Sequence, residues 1–95
     1  MKDIKVLEIV SERIKYLRDS TIRKDIFFVG EYKYLKESEK IPIRTISAEM
    51  ESLRVFMFSD DDLDKQIEIC IQNEQYCGAE GIKNAKQWLF ENNLL

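Results

Sequence analysis

The chain contains no histidine, one proline, three glycines and two cysteines, and each scarcity removes a class of fold or chemistry. Without histidine the commonest general base and metal ligand are missing. No strand-turn-helix "GxSxG" elbow occurs, and no Gly-rich phosphate loop carries a Walker-type lysine. The 18 acidic residues could supply a carboxylate pair for glycoside chemistry, but at this density they read as a solvated surface. No enzymatic activity, cofactor or metal is therefore expected. So few Gly and Pro disfavour a fold of many short strands, each needing its own turn. No apolar run approaches the roughly 18 residues of a membrane span, so no membrane partner is expected. The start "MKDIKVLEIV" lacks the apolar core of a signal peptide, which points to a cytoplasmic location.

The two cysteines, Cys70 and Cys77, read as members of one helix. Seven residues there separate them by about 10 Å, beyond the roughly 7 Å that a disulfide spans, so both are expected as reduced, packed thiols. The acidic run "SDDDLD" invites a calcium reading. Counted from Asp60, however, the sixth and twelfth positions hold Lys65 and Ile71, where an EF-hand needs Gly and Glu. Capping of a helix N-terminus explains the aspartates better.

What is present is helical periodicity. The hydrophobic fraction of 44% beside 35% charged residues is that of a folded domain, not of a disordered chain. Over residues 3–18, Leu7, Val10, Ile14 and Leu17 form one stripe, widened by Val6 and Ile9. Asp3 and Arg18 lie at the ends that suit the helix dipole. Residues 21–37 read two ways. "DIFFVGEYKYL" has strand composition, yet Ile22, Ile26 and Val29 share a helical face, as do Phe28, Tyr32 and Leu35; the helical reading is preferred. "KESEK" reads as a solvated connection, and Pro42 argues for extended chain at "KIPIRTI". Ser47 then caps a helix carrying Ile46, Met50, Leu53 and Met57 on one side. A further helix turns Leu63, Ile67, Cys70 and Ile71 inward and stops at Gly78. The last, near 81–92, carries Ile82, Ala85 and Leu89, with Trp88 and Phe90 alongside. The fold expected is mainly α. It is a single domain over residues 1–95, a small bundle of four to five helices, with room for a short β segment near 26–35 and 41–46.

Residues 47–93 resemble a ubiquitin-associated (UBA) three-helix domain. "VFMFSDDDLDKQIEICI" followed by "GIKNAKQWLFEN" is similar to that family's first loop, second helix and Trp-Leu-bearing third helix. The resemblance implies compact three-helix packing and, through the first loop, ubiquitin-type recognition. The chain departs from the family in having Phe56-Met57-Phe58 where a Met-Gly-Phe loop stands, and in the longer connection "NEQYCGAEG".

Charge is the most discriminating signal. Residues 1–46 hold 11 Lys/Arg and 8 Asp/Glu, a net of +3, and the three-helix half 47–95 holds 4 and 10, a net of −6. A sustained negative field steers basic partners and repels nucleic acid. The function expected is a small cytoplasmic protein-binding inhibitor or regulator, of the immunity-protein, antitoxin or phage-encoded-inhibitor type. Its acidic face would block a basic protein partner such as a nuclease or nucleic-acid-binding protein. The expected partner-binding residues are Asp60, Asp61, Asp62, Asp64, Glu68 and Glu74. One alternative is a nucleic-acid-binding regulator using Lys15, Arg18, Arg23, Lys24, Lys33 and Lys36 with Tyr16, Tyr32 and Tyr34. Direct nucleic-acid binding is not favoured, because a net of +3 is not the concentrated stripe of a strong binder. Another is a helical homo-oligomerisation module, a homodimer formed through the first helix or a patch of Trp88, Phe90, Leu94 and Leu95. The echo of "IKYLRDS" (14–20) in "YKYLKES" (32–38) reads as two helices that close alike.

Overall fold

The computed structural model describes residues 2–19, 36–59 and 62–95. Among them lie four helices and no strand: α1 (Ile4–Asp19), α2 (Glu37–Phe58), α3 (Leu63–Gln72) and α4 (Tyr76–Glu91). The helical bundle is as expected. The segment 26–35, with most of the ambiguous stretch 21–37, lies outside the described residues.

α1 starts where Asp3 accepts the backbone N–H of Lys5 at 2.8 Å and, through its carbonyl, that of Leu7 at 3.1 Å. Asp3 is thus the N-cap, one position before the first turn. Val10 and Leu17 are buried, with Val6 and Ile14 packed beside them. Ile9, which widens the stripe on paper, is 44% exposed.

The second element corrects the expectation. Residues 41–46 are not extended and "KESEK" is not a loop, because α2 runs unbroken from Glu37 through Pro42 to Phe58. Proline removes one backbone donor and its ring crowds the carbonyl a turn earlier. Pro42 stands near the helix start, just after the turn whose N–H groups lack intrahelical partners anyway. Downstream, Ile43, Met50, Leu53 and Phe56 are buried on the same helix, and that burial outweighs the local cost. Ser47, read as a cap, lies mid-helix. The echo is corrected as well: Arg18 closes α1, whereas Lys36 and Glu37 open α2. Replacing the exposed ring by Pro42→Ala restores a backbone donor. It should raise stability by about 1–2 kcal/mol, read as a higher urea midpoint with an unchanged denaturant slope.

α3 is capped by Asp62, whose carboxylate accepts the N–H of Asp64 at 2.9 Å. Gly78 does not end it. The Glu74 N–H donates to the Ile71 carbonyl at 3.1 Å and the Gln75 N–H to that of Cys70 at 2.7 Å, the paired bonds of a Schellman motif. The left-handed C′ position falls on Glu74, with φ of 58°, at a cost on the order of 1 kcal/mol for a residue with a Cβ. Gly78 instead lies in the first turn of α4, so Cys70 and Cys77 sit on different helices, both as free thiols. Ile71 is 45% exposed rather than inward. α4 closes in the same way on Asn93, with the Leu94 N–H on the Leu89 carbonyl at 2.8 Å. That bond folds Leu94 back against the core.

α2 is the central element, packed against both α1 and α4, and α3 lies against α4. One buried cluster joins all four helices: Val10 and Leu17, then Met50, Leu53 and Phe56, then Leu63, then Ile82, Ala85 and Leu89. The basic and acidic parts of the sequence meet at residue 46, inside α2.

Candidate functional site

Of the six acids expected to bind a partner, Asp60 and Asp61 lie outside the described residues. The other four are exposed but differently employed. Asp62 holds the N-terminus of α3, and Asp64 forms an ion pair with Lys86 of α4. Glu68 sits in mid-α3 and Glu74 in the α3–α4 turn. No ion pair engages either of them, nor exposed Glu80, among the described residues.

Asp64 and Glu68 do not stand on a purely acidic surface. On the α3 side they line an open groove of about 700 Å³ that Lys83 and Lys86 line from α4, and Ile67, Gln87 and Phe90 complete its lining. Phe90 is 71% exposed. Two of the four basic residues of the acidic half thus face two of its acids. The linear charge count could not show this, because lysines 15–22 positions downstream return only once α4 folds antiparallel onto α3.

A second cluster was hidden from the sequence. Glu49, one of the ten acids of residues 47–95, is 5% exposed. It lies under Arg13 of α1, which reaches its carboxylate at 3.4 Å. The guanidinium also stacks between Tyr16 and Trp88, 5.1 and 5.5 Å from the ring centroids. Arg13, Glu49 and Trp88 line a shallow depression of about 320 Å³ with Asn84, Gln87 and Glu91. Arg13 Nε is buried without a hydrogen-bond partner. Burial lifts the Glu49 carboxyl above its ordinary 4.5, against the opposing pull of Arg13. A displaced carboxyl in a depression marks either a site or a structural ion pair, and the single Arg13 contact with the low exposure of Glu49 fits the second. The only sequence signal is the three- and four-residue spacing of Arg13 from Val10 and Leu17, which puts it beside the buried stripe.

The nucleic-acid alternative is divided. Arg23, Lys24, Tyr32, Lys33 and Tyr34 lie outside the described residues. Arg18 pairs with Asp19 at 3.6 Å, Tyr16 is covered on one face by Arg13, and Lys15 and Lys36 are exposed. The docking patch expected at the C-terminus is thinner than its sequence: Trp88 and Leu94 pack on the core, leaving Phe90 and Leu95 exposed. Phe56-Met57-Phe58 forms the last turn of α2, not a loop. Phe56 is buried beneath Lys2, which lies 4.3 Å above its ring, and Phe58 is 80% exposed.

Among the described residues no group of three or more Cys, Asp or Glu side chains is placed to hold a metal ion. None of the described helices is long and apolar enough to cross a membrane. No protein-family model, curated protein or solved structure matches the chain. What fold and surface define together is a small helical bundle with carboxylates around α3 that no ion pair engages among the described residues, and a charge-divided groove between α3 and α4.

Proposed function

We propose that this protein is a stoichiometric protein-binding inhibitor or regulator that presents carboxylates of α3, its flanking turns and the N-terminal half of α4 to a basic partner, as immunity proteins, antitoxins and phage-encoded inhibitors do. The observation that carries the reading is the division of labour among acids. Arg13, Arg54 and Lys86 engage Glu49, Glu51 and Asp64 within the chain, while Glu68, Glu74 and Glu80 stay exposed and unengaged among the described residues. Exposed carboxylates keep their hydration until a partner arrives, so their contribution falls mainly on the rate and selectivity of encounter. A nuclease or a nucleic-acid-binding protein, whose basic channel is shaped for phosphates, is the matching partner class. Asp60 and Asp61 adjoin the same cap and add to its field through sequence position alone.

The test is affinity capture with the purified chain, identification of what is retained at low salt, and rate measurements on that complex. The triple variant Glu68→Lys/Glu74→Lys/Glu80→Lys should associate about 10- to 100-fold more slowly, with an unchanged helical circular dichroism spectrum. Equal rates for native and variant chains would exclude these carboxylates as the partner surface.

A further inference from the structure

We propose that the groove between α3 and α4 is a self-complementary docking surface for a second copy of this chain. Its two sides carry opposite charge, Asp64 and Glu68 on α3 against Lys83 and Lys86 on α4, and Ile67 and Phe90 are the apolar residues that line it. Asp64 and Lys86 close on each other within the chain. That leaves Glu68 and Lys83, one on each wall, with no ion-pair partner among the described residues. A wholly basic occupant would satisfy Glu68 and be repelled by Lys83, and a wholly acidic one would meet the reverse. A second copy related by a two-fold axis satisfies both, because the rotation brings the α3 wall of each molecule against the α4 wall of the other. Glu68 of one copy then faces Lys83 of its partner, and the same contact is made twice.

The apolar part of the contact comes from Phe90. With 71% of its surface exposed, it is the most exposed large hydrophobic group lining the groove, and the partner's groove offers Ile67 as a second apolar lining residue. Burial of the two rings supplies affinity, and the paired charges set orientation and disfavour the arrangement that lays like wall on like wall. The inference goes beyond the proposed inhibitor function and does not depend on it. Glu74 and Glu80 are not among the groove's lining residues, and a basic partner reaching for Glu68 would compete with the second copy.

Sedimentation equilibrium of the purified chain over roughly 10 µM to 1 mM, the range of weak reversible association, tests the proposal without any other protein. The native chain should pass from monomer to dimer with rising concentration. Phe90→Ser should weaken the dimer about tenfold or more, and its exposed position leaves the fold intact. Glu68→Lys and Lys83→Glu should each dissociate alone. Mixed in equal amounts they should dimerise again, because one copy then carries two basic positions and the other two acidic ones. A native chain that stays monomeric throughout overturns the proposal. So does a dimer indifferent to Phe90→Ser, which would place the contact elsewhere, and so does a mixture no more associated than its components.

Discussion

Gly81→Ala should destabilise this protein by about 3 kcal/mol or more, although the same substitution in an exposed helix gains about 1 kcal/mol. A methyl group on Gly81 would lie 2.4 Å from the Thr45 carbonyl oxygen, 2.5 Å from the Ala48 Cβ and 2.9 Å from the Glu49 backbone nitrogen. Two of those three atoms are backbone, and none can rotate away. To admit the methyl, α4 must separate from α2, which loosens Leu53 and Leu89 at the fully buried centre of the molecule. Such a loss is a large part of the roughly 5–15 kcal/mol that holds a domain of this size. Urea unfolding measures it directly, and Gly78→Ala serves as the control. There the added Cβ meets only Cys70 Sγ at 3.3 Å and the Gln75 Cβ at 3.9 Å, both side-chain atoms, so stability should stay within about 1 kcal/mol of native. Equal stability of native and Gly81→Ala chains would rule out the close crossing of α2 and α4.

Arg13→Leu is the second large effect, with an expected loss of about 3 kcal/mol at neutral pH. The figure lies at the low end for a broken buried pair because the Arg13 side chain keeps 26% exposure and makes one 3.4 Å contact, while that of Glu49 is 7% exposed. The pH dependence separates charge from packing. Burial raises the folded-state pKa of Glu49 above the ordinary 4.5, so between those two values the folded chain binds the extra proton. The contribution of this group to stability therefore increases as pH falls through the folded pKa towards the unfolded one, and is lost as pH rises again. Removing Arg13 removes both influences that lower the pKa of Glu49, which lifts it further and deepens the penalty at neutral pH. Urea titrations at about pH 5 and about pH 7.5 should show the Arg13→Leu deficit shrinking in acid. Adding Glu49→Gln should recover most of the deficit and flatten its pH dependence, since an isosteric amide needs no counter-charge. A deficit identical at both pH values would assign Arg13 to packing on Trp88 and Tyr16 alone.

Local chemistry made much of the bundle legible. The stripe of α1 needed only its three- and four-residue spacing, and the start of α3 needed only an aspartate before a periodic run. The errors share one cause. Pro42, Ser47 and Gly78 have local preferences for turn, cap and stop, yet all three lie inside helices. Gly78 yielded its stopping role to Glu74, a residue with no local signal for a left-handed position. For the candidate surface, the sequence identified the acids around α3 but not their company. Lys86 on Asp64 and Arg13 on Glu49 are 22 and 36 positions away, beyond any window of neighbouring residues.

The sequence by itself determined a helical chain without histidine chemistry, acidic in its second half, with its carboxylates gathered around the start of α3. Tertiary structure alone decided that α2 continues through Pro42, that Gly81 lets two backbones meet, and that Glu49 is internal while Glu68 and Glu74 remain at the surface. Propensity and capping act over a few residues and amount to about 1–3 kcal/mol. Burying Leu53 against Leu89, or closing Arg13 over Glu49, joins residues 36 positions apart on different helices. Those gains exist only once the helices have met, and they are large enough to overrule the local terms.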